Sequence, residues 1–110
     1  MINLDVYREM LYNDSMVRKC EVWVTKFAEK RLHKLPKHVL EAYATWIRSI
    51  EFQGIRAVRM IPGYYDEPLK GKRAGQRSVR LSRGYRVIYE ESNEGDVTLI
   101  GIMEVNKHDY

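Results

Sequence analysis

The chain contains a single cysteine in 110 residues, Cys20, which excludes an internal disulfide and a cysteine-rich metal site. A buried structural thiol is the expected role for it. Proline is also scarce, with three residues, so strong chain-breaking signals are confined to Pro36 and the segment 62–68. No apolar run approaches the roughly 20 residues that a membrane span requires. Asp5, Arg8 and Glu9 interrupt the apolar residues of the N-terminus, where a secretory signal would need an unbroken apolar stretch. A cytoplasmic location without membrane contact is therefore expected.

The composition, 45% apolar and 31% charged, suits one globular domain with one core. Net charge is +4, but it is unevenly distributed. Between Glu67 and Tyr89 seven basic residues (Lys70, Lys72, Arg73, Arg77, Arg80, Arg83 and Arg86) stand against the single acid Glu67, leaving twelve basic and fourteen acidic residues elsewhere. A positive field confined to one stretch of an otherwise near-neutral chain points to a surface that holds a polyanion.

Residues 1–18 read as an appended arm, helical in pattern, with Asn13-Asp14-Ser15 as a turn or a new helix start. The β-branched and aromatic run Cys20 to Thr25 predicts a short strand. Thr25 can cap a helix over 26–34, whose stripe of Phe27, Ala28 and Leu32 should face the core. From Pro36, the positions of Val39, Leu40, Tyr43, Trp46, Ile47 and Ile50 repeat at helical spacing, and Gly54 is a plausible C-terminal cap. Pro62-Gly63 opens an irregular linker through Pro68. Strands follow over Gln76 to Leu81, Tyr85 to Glu91 and Val97 to Val105, joined by Ser82-Arg83-Gly84 and Asn93-Glu94-Gly95-Asp96. A three-residue loop with Gly84 left-handed would place Arg80 opposite Arg86 and Val79 opposite Val87; a two-residue loop, Arg83-Gly84, would break that register. Two arginines facing each other across a ladder repel, a cost that an anion between them would relieve.

If the polyanion is RNA, its own 2′-hydroxyl is the nucleophile beside each phosphodiester, and cutting needs neither a metal nor a cofactor. It needs a general base, a general acid and fixed cations around the phosphoryl oxygens. Glu67 or His108 could fill either proton-transfer role. Arg80 and Arg86 are the natural phosphate clamps, because guanidinium stays charged and presents a planar fork of donors. Tyr65 and Tyr110 could stack on exposed bases.

The string Glu67-Pro68-Leu69-Lys70-Gly71, then Gly75-Gln76-Arg77-Ser78-Val79-Arg80-Leu81, Tyr85-Arg86-Val87-Ile88-Tyr89 and His108-Asp109-Tyr110 resembles the RelE/ParE toxin superfamily, with a close likeness to its RelE, HigB and YoeB types. The resemblance covers roughly residues 20–110. It implies an α+β fold, an N-terminal helical hairpin packed on a small antiparallel β-sheet, with residues 1–18 as an extension and 19–110 as the toxin domain. It also implies a metal-independent mRNA endonuclease that enters the ribosomal A site, inhibits translation, and leaves 2′,3′-cyclic phosphate and 5′-hydroxyl ends. By the same resemblance Glu67 is the general base, Arg86 stabilises the transition state, Arg80 lies near the scissile phosphate, His108 is the general acid and Tyr110 the terminal aromatic. Lys70, Lys72, Arg73, Arg77, Arg83 and Tyr65 are the expected RNA-binding set. The implied partners are an acidic cognate antitoxin, mRNA and the ribosome, with operator DNA reached only through the antitoxin complex. A ParE-like gyrase inhibitor and a non-catalytic antitoxin-binding protein are the alternatives of other classes.

Overall fold

The computed structural model describes residues 19–107. The expected extension 1–18 and the tail residues His108, Asp109 and Tyr110 lie outside the described residues.

The order of elements is β1 (Lys19–Val24), α1 (Lys26–Leu32), α2 (Lys37–Gln53), α3 (Ile55–Arg59), β2 (Glu67–Pro68), β3 (Gln76–Ser82), β4 (Tyr85–Glu94) and β5 (Val97–Lys107). Thr25 caps α1 as its side chain requires, accepting a hydrogen bond from the Ala28 amide at 3.0 Å. Its hydroxyl also donates to the Met103 carbonyl at 3.1 Å, tying the helix start to β5. Gly54 ends α2 at φ 85°, a conformation in which any other residue is strained. Val39, Trp46 and Ile50 form the fully buried edge of α2. Leu40 on the same stripe stays 42% exposed, and on α1 Phe27 is turned out while Ala28 is buried. No described helix is long and apolar enough to cross a membrane.

The five strands lie in the order β1-β5-β4-β3-β2. Four of them run antiparallel to their neighbours, but β1 pairs with β5 in parallel, Lys19 opposite Val97 and Val24 opposite Ile102. The sheet is thus mixed rather than wholly antiparallel. The reason is topological: the chain leaves β1 through the helices and two hairpins before β5 fills the position beside it. The helices cover one face, packing on β5, β1 and β3. There Val79, Val87, Tyr89, Ile100, Ile102 and Val105 meet Trp46 and Ile50, with the Trp46 and Tyr89 ring centroids 5.6 Å apart. Each such side chain contributes about 1.5–3 kcal/mol through burial. Cys20 is buried in the same core, as a structural thiol should be.

Two irregularities set what faces outward. The β3–β4 turn is Arg83-Gly84, two residues rather than three, and Gly84 is not left-handed. Arg80 nevertheless pairs with Arg86 and Val79 with Val87, because an irregularity at Leu81 restores the register before Ser82 meets Tyr85. On β5, Ile88 pairs with Glu104 but Tyr89 with Ile102, so Met103 is an extra residue, a β-bulge. Strict alternation would carry the inward face of Ile100 and Ile102 on to Glu104 and Asn106. The bulge reverses the phase, so that Val105 enters the core and Glu104 and Asn106 lie on the open face.

Candidate active site

The open face of the sheet, which no described helix covers, is arranged in rows, with Ile88 buried within it. Arg80, Arg86 and Asn106 are successive ladder partners across β3, β4 and β5. The next row is Glu67, Ser78, Ile88 and Glu104, from β2 to β5. Glu67 therefore shares a face with both arginines. By ideal sheet geometry its Cα lies roughly 12 Å from that of Arg86, two strands across and two residues along, a gap that two long side chains and one phosphate can fill. Arg86 Nε is buried without a hydrogen-bond partner among the described residues. A charged donor in that state is costly to the fold and available to a ligand.

Glu67 reaches this face because of the residue before it. The side chain of Asp66 is 1% exposed and accepts from Tyr89 Oη and Arg77 Nε, each at 2.5 Å. Arg59 Nε stands 4.0 Å away and its Nη2 donates to Glu91 at 2.6 Å. Asp66 points in; Tyr65 and Glu67 on either side of it are exposed. Tyr65 is the only non-glycine residue with positive φ among the described residues, at 45°, a conformation costing about 1–3 kcal/mol that the anchored neighbour holds in place. Its ring lies over Arg80, with Cζ 4.2 Å from the centroid, an orienting cation–π contact. Burial first, and then the hydrogen bond to Asp66, push the Tyr89 hydroxyl far above its ordinary range, so it remains a donor.

Arg73, delivered by a short 3-10 turn at Gly71–Arg73, places Nη2 2.7 Å from both carboxylate oxygens of Glu104. Asn106 Nδ2 donates to the same carboxylate at 3.1 Å. The Arg73 hydrogen bond, with smaller help from Asn106 and the Arg86 charge, holds Glu104 below the ordinary carboxylate range despite partial burial. A depressed folded pKa contributes stability that is present above the unfolded glutamate value, about 4.3, and lost as pH falls through the folded value. Glu104→Gln should therefore lower the melting temperature by about 2–5 °C at pH 7, since Arg73 is 42% exposed and the pair is partly screened. Melting curves at pH 7 and pH 3 should show the gap to wild type closing in acid; a gap that persists at pH 3 would contradict the ionic origin.

The other expected site residues divide into two groups. Lys70, Lys72 and Arg83 are exposed around the face. Arg77 and Arg73 are basic residues engaged with carboxylates, Arg77 inside the Asp66 cluster and Arg73 on Glu104. Glu104, Asn106 and Asp66 did not emerge from the sequence as site residues. The positions of His108 and Tyr110 lie outside the described residues.

No family model matches the chain, and no curated protein does. Solved structures do. A YoeB/ParE toxin from Agrobacterium tumefaciens is 20% identical, covering 81% of this chain and 99% of that one with a TM-score of 0.61. The RelBE2 toxin–antitoxin complex from Mycobacterium tuberculosis matches at 29% identity over 84% of this chain and 94% of that one, TM-score 0.54. The YoeB–YefM complex from Staphylococcus aureus matches at 18% over 84% and 99%, TM-score 0.60. The fold built by these strands and helices is that of the RelE/YoeB-like toxin superfamily.

Proposed function

We propose that the protein is the toxin of a type II toxin–antitoxin system and cleaves mRNA on the ribosome without a metal, in the cytoplasm. The observation that carries this reading is the Arg80–Arg86 pair, opposed across a ladder on the open face with Glu67 on the same face. In the proposed reaction Glu67 takes the proton of the 2′-hydroxyl, and the 2′-oxygen attacks phosphorus. The bond to the 5′-oxygen breaks, leaving a 2′,3′-cyclic phosphate and a 5′-hydroxyl. Arg86 and Arg80 stabilise charge on the non-bridging oxygens, where fixed donors act most strongly. His108 supplies the proton for the leaving oxygen, and Tyr110 and Tyr65 hold the flanking bases. Lys70, Lys72 and Arg83 extend the positive field along the strand.

An acidic antitoxin covering this face would neutralise the toxin by competing for the same cations. Operator DNA would be contacted through that antitoxin.

The test is cleavage of one defined mRNA by antitoxin-free protein, as naked RNA with EDTA and on programmed ribosomes, mapped by primer extension. Codon-registered cuts on ribosomes alone are expected. No cut in either sample, with loss of gyrase supercoiling in a parallel assay, would replace this reading with the gyrase-inhibitor class.

A further inference from the structure

The third row of the open face is Gln76, Glu90, Gly101 and Trp23, again ladder partners, running from β3 to the edge strand β1. Trp23 is 45% exposed, whereas the only other tryptophan, Trp46, is fully buried. Its six-membered ring rests on the bare backbone of β5: a Cβ at Gly101 would stand 2.4 Å from Cζ2 and 2.6 Å from Cε2. Only glycine leaves room for the indole there. On the next strand Glu90 accepts from Gln76 Nε2 through Oε1 at 3.1 Å, and Oε2 carries no hydrogen bond among the described residues.

We propose that Trp23 and Glu90 form a nucleobase subsite for a base bearing an exocyclic amine, adenine, cytosine or guanine, on the RNA strand whose scissile phosphate lies between Arg80 and Arg86. The inference rests on the nuclease reading above. An exposed π surface stacks any base, while a carboxylate at its rim accepts from an exocyclic amine and disfavours uracil, whose one ring N–H lies between two carbonyls that repel the carboxylate. Glu90 lies four residues along β4 from Arg86, roughly 13 Å at the usual rise, so the subsite chooses where the strand is cut rather than taking part in the chemistry. A protein-docking patch would need continuous apolar surface. Here the apolar surface beside Trp23 is broken up: Leu99 is its partly buried neighbour on β5, and around them stand Glu90 and, along β1, Glu21 and Lys19, which form an ion pair at 3.5 Å.

The test uses the full-length, antitoxin-free protein and short 2′-O-methyl oligonucleotides of adenosine, cytidine or uridine, which bind without being cut. Binding is followed by the fluorescence anisotropy of a dye on the oligonucleotide, which reads wild type and the Trp23 variants alike, with quenching of the exposed Trp23 in wild type as a second report. Wild type should bind the adenosine and cytidine oligomers more tightly than the uridine one. Trp23→Leu, which fills the space over Gly101 without a π face, should lose about 5- to 30-fold affinity, with the salt slope unchanged because no phosphate contact is removed. Trp23→Phe should recover most of the affinity, and Glu90→Gln should abolish discrimination against uridine. On mRNA, Trp23→Leu should redistribute cut positions and raise KM while kcat holds. If wild type binds and cuts but Trp23→Leu matches it in affinity and cut pattern, the subsite is wrong and the nuclease reading stands. Trp23→Leu weakening antitoxin binding alone would likewise overturn it in favour of a protein contact. A wild type that binds no oligonucleotide and cuts no RNA would remove both.

Discussion

Arg86→Met is expected to lower mRNA cleavage by at least 100-fold while leaving the melting temperature unchanged or slightly raised. The two halves of that result have one cause. Arg86 faces Arg80 directly across the ladder, a like-charge pair costing a few tenths of a kcal/mol, and its Nε is buried without an acceptor among the described residues. The Glu104 charge offsets part of this cost, so the net effect on stability is small. Removing a fixed donor from a developing oxyanion costs about 100- to 1,000-fold in kcat. Glu67→Gln should act on the same step, losing about 100- to 10,000-fold through the missing base. Glu67 is exposed on a two-residue edge strand, so the fold should hardly register its loss. Single-turnover cleavage beside thermal melts makes the comparison. Activity within tenfold of wild type in both variants would remove the arginine pair from the centre of the reaction.

Asp66→Ala is the change with the largest expected effect on stability, a fall of about 15–25 °C in melting temperature. A carboxylate 1% exposed is held there by Arg77, Tyr89 and Arg59; deleting it leaves Arg77, about three-quarters buried, without its carboxylate partner, while Arg59 keeps Glu91. Breaking a buried ion pair from one side costs about 3–5 kcal/mol, and in a domain of this size each kcal/mol is about 4–8 °C. Asp66→Asn keeps an acceptor for Tyr89 but loses the charge, and should fall between alanine and wild type. Loss of activity should precede unfolding in both, since Tyr65 and Glu67 are oriented by the anchored residue between them. If alanine melts within a few degrees of wild type, Asp66 does not anchor this segment. The Tyr89 phenol, raised by burial and by Asp66, stabilises the fold below pH 10, and that contribution is lost as the pH climbs towards its folded value.

The parts of the fold that follow a local period were legible in the chain. Helix α2 was marked by six apolar positions at helical spacing, β1 by β-branched and aromatic residues, and the Arg80–Arg86 pairing by the spacing of two strands around a glycine turn. The turn itself differs, because a bulge can restore a register that loop length alone would break. Helix α3 and strand β2 are five and two residues long, too short for a period to show. Asp66 could not be told from Glu67 beside it: its partners lie 11 and 23 residues away, and only the fold brings them together. The parallel pairing of β1 with β5 has no local signal either. For Glu104 a signal did exist, since Ile100, Ile102 and Val105 cannot share one face of an unbroken strand.

That extra residue on β5 is the one position of the strand that the ladder does not count. The Met103 side chain is partly exposed and lies outside the core formed by the described residues, so most replacements there should be tolerated. Removing the position altogether would leave Ile102, Glu104, Val105 and Asn106 in strict alternation, each on the face it already occupies. A deletion scan along β5 should therefore find its mildest loss at position 103, and variation in this protein would be free to drop that residue while keeping the order of those on either side.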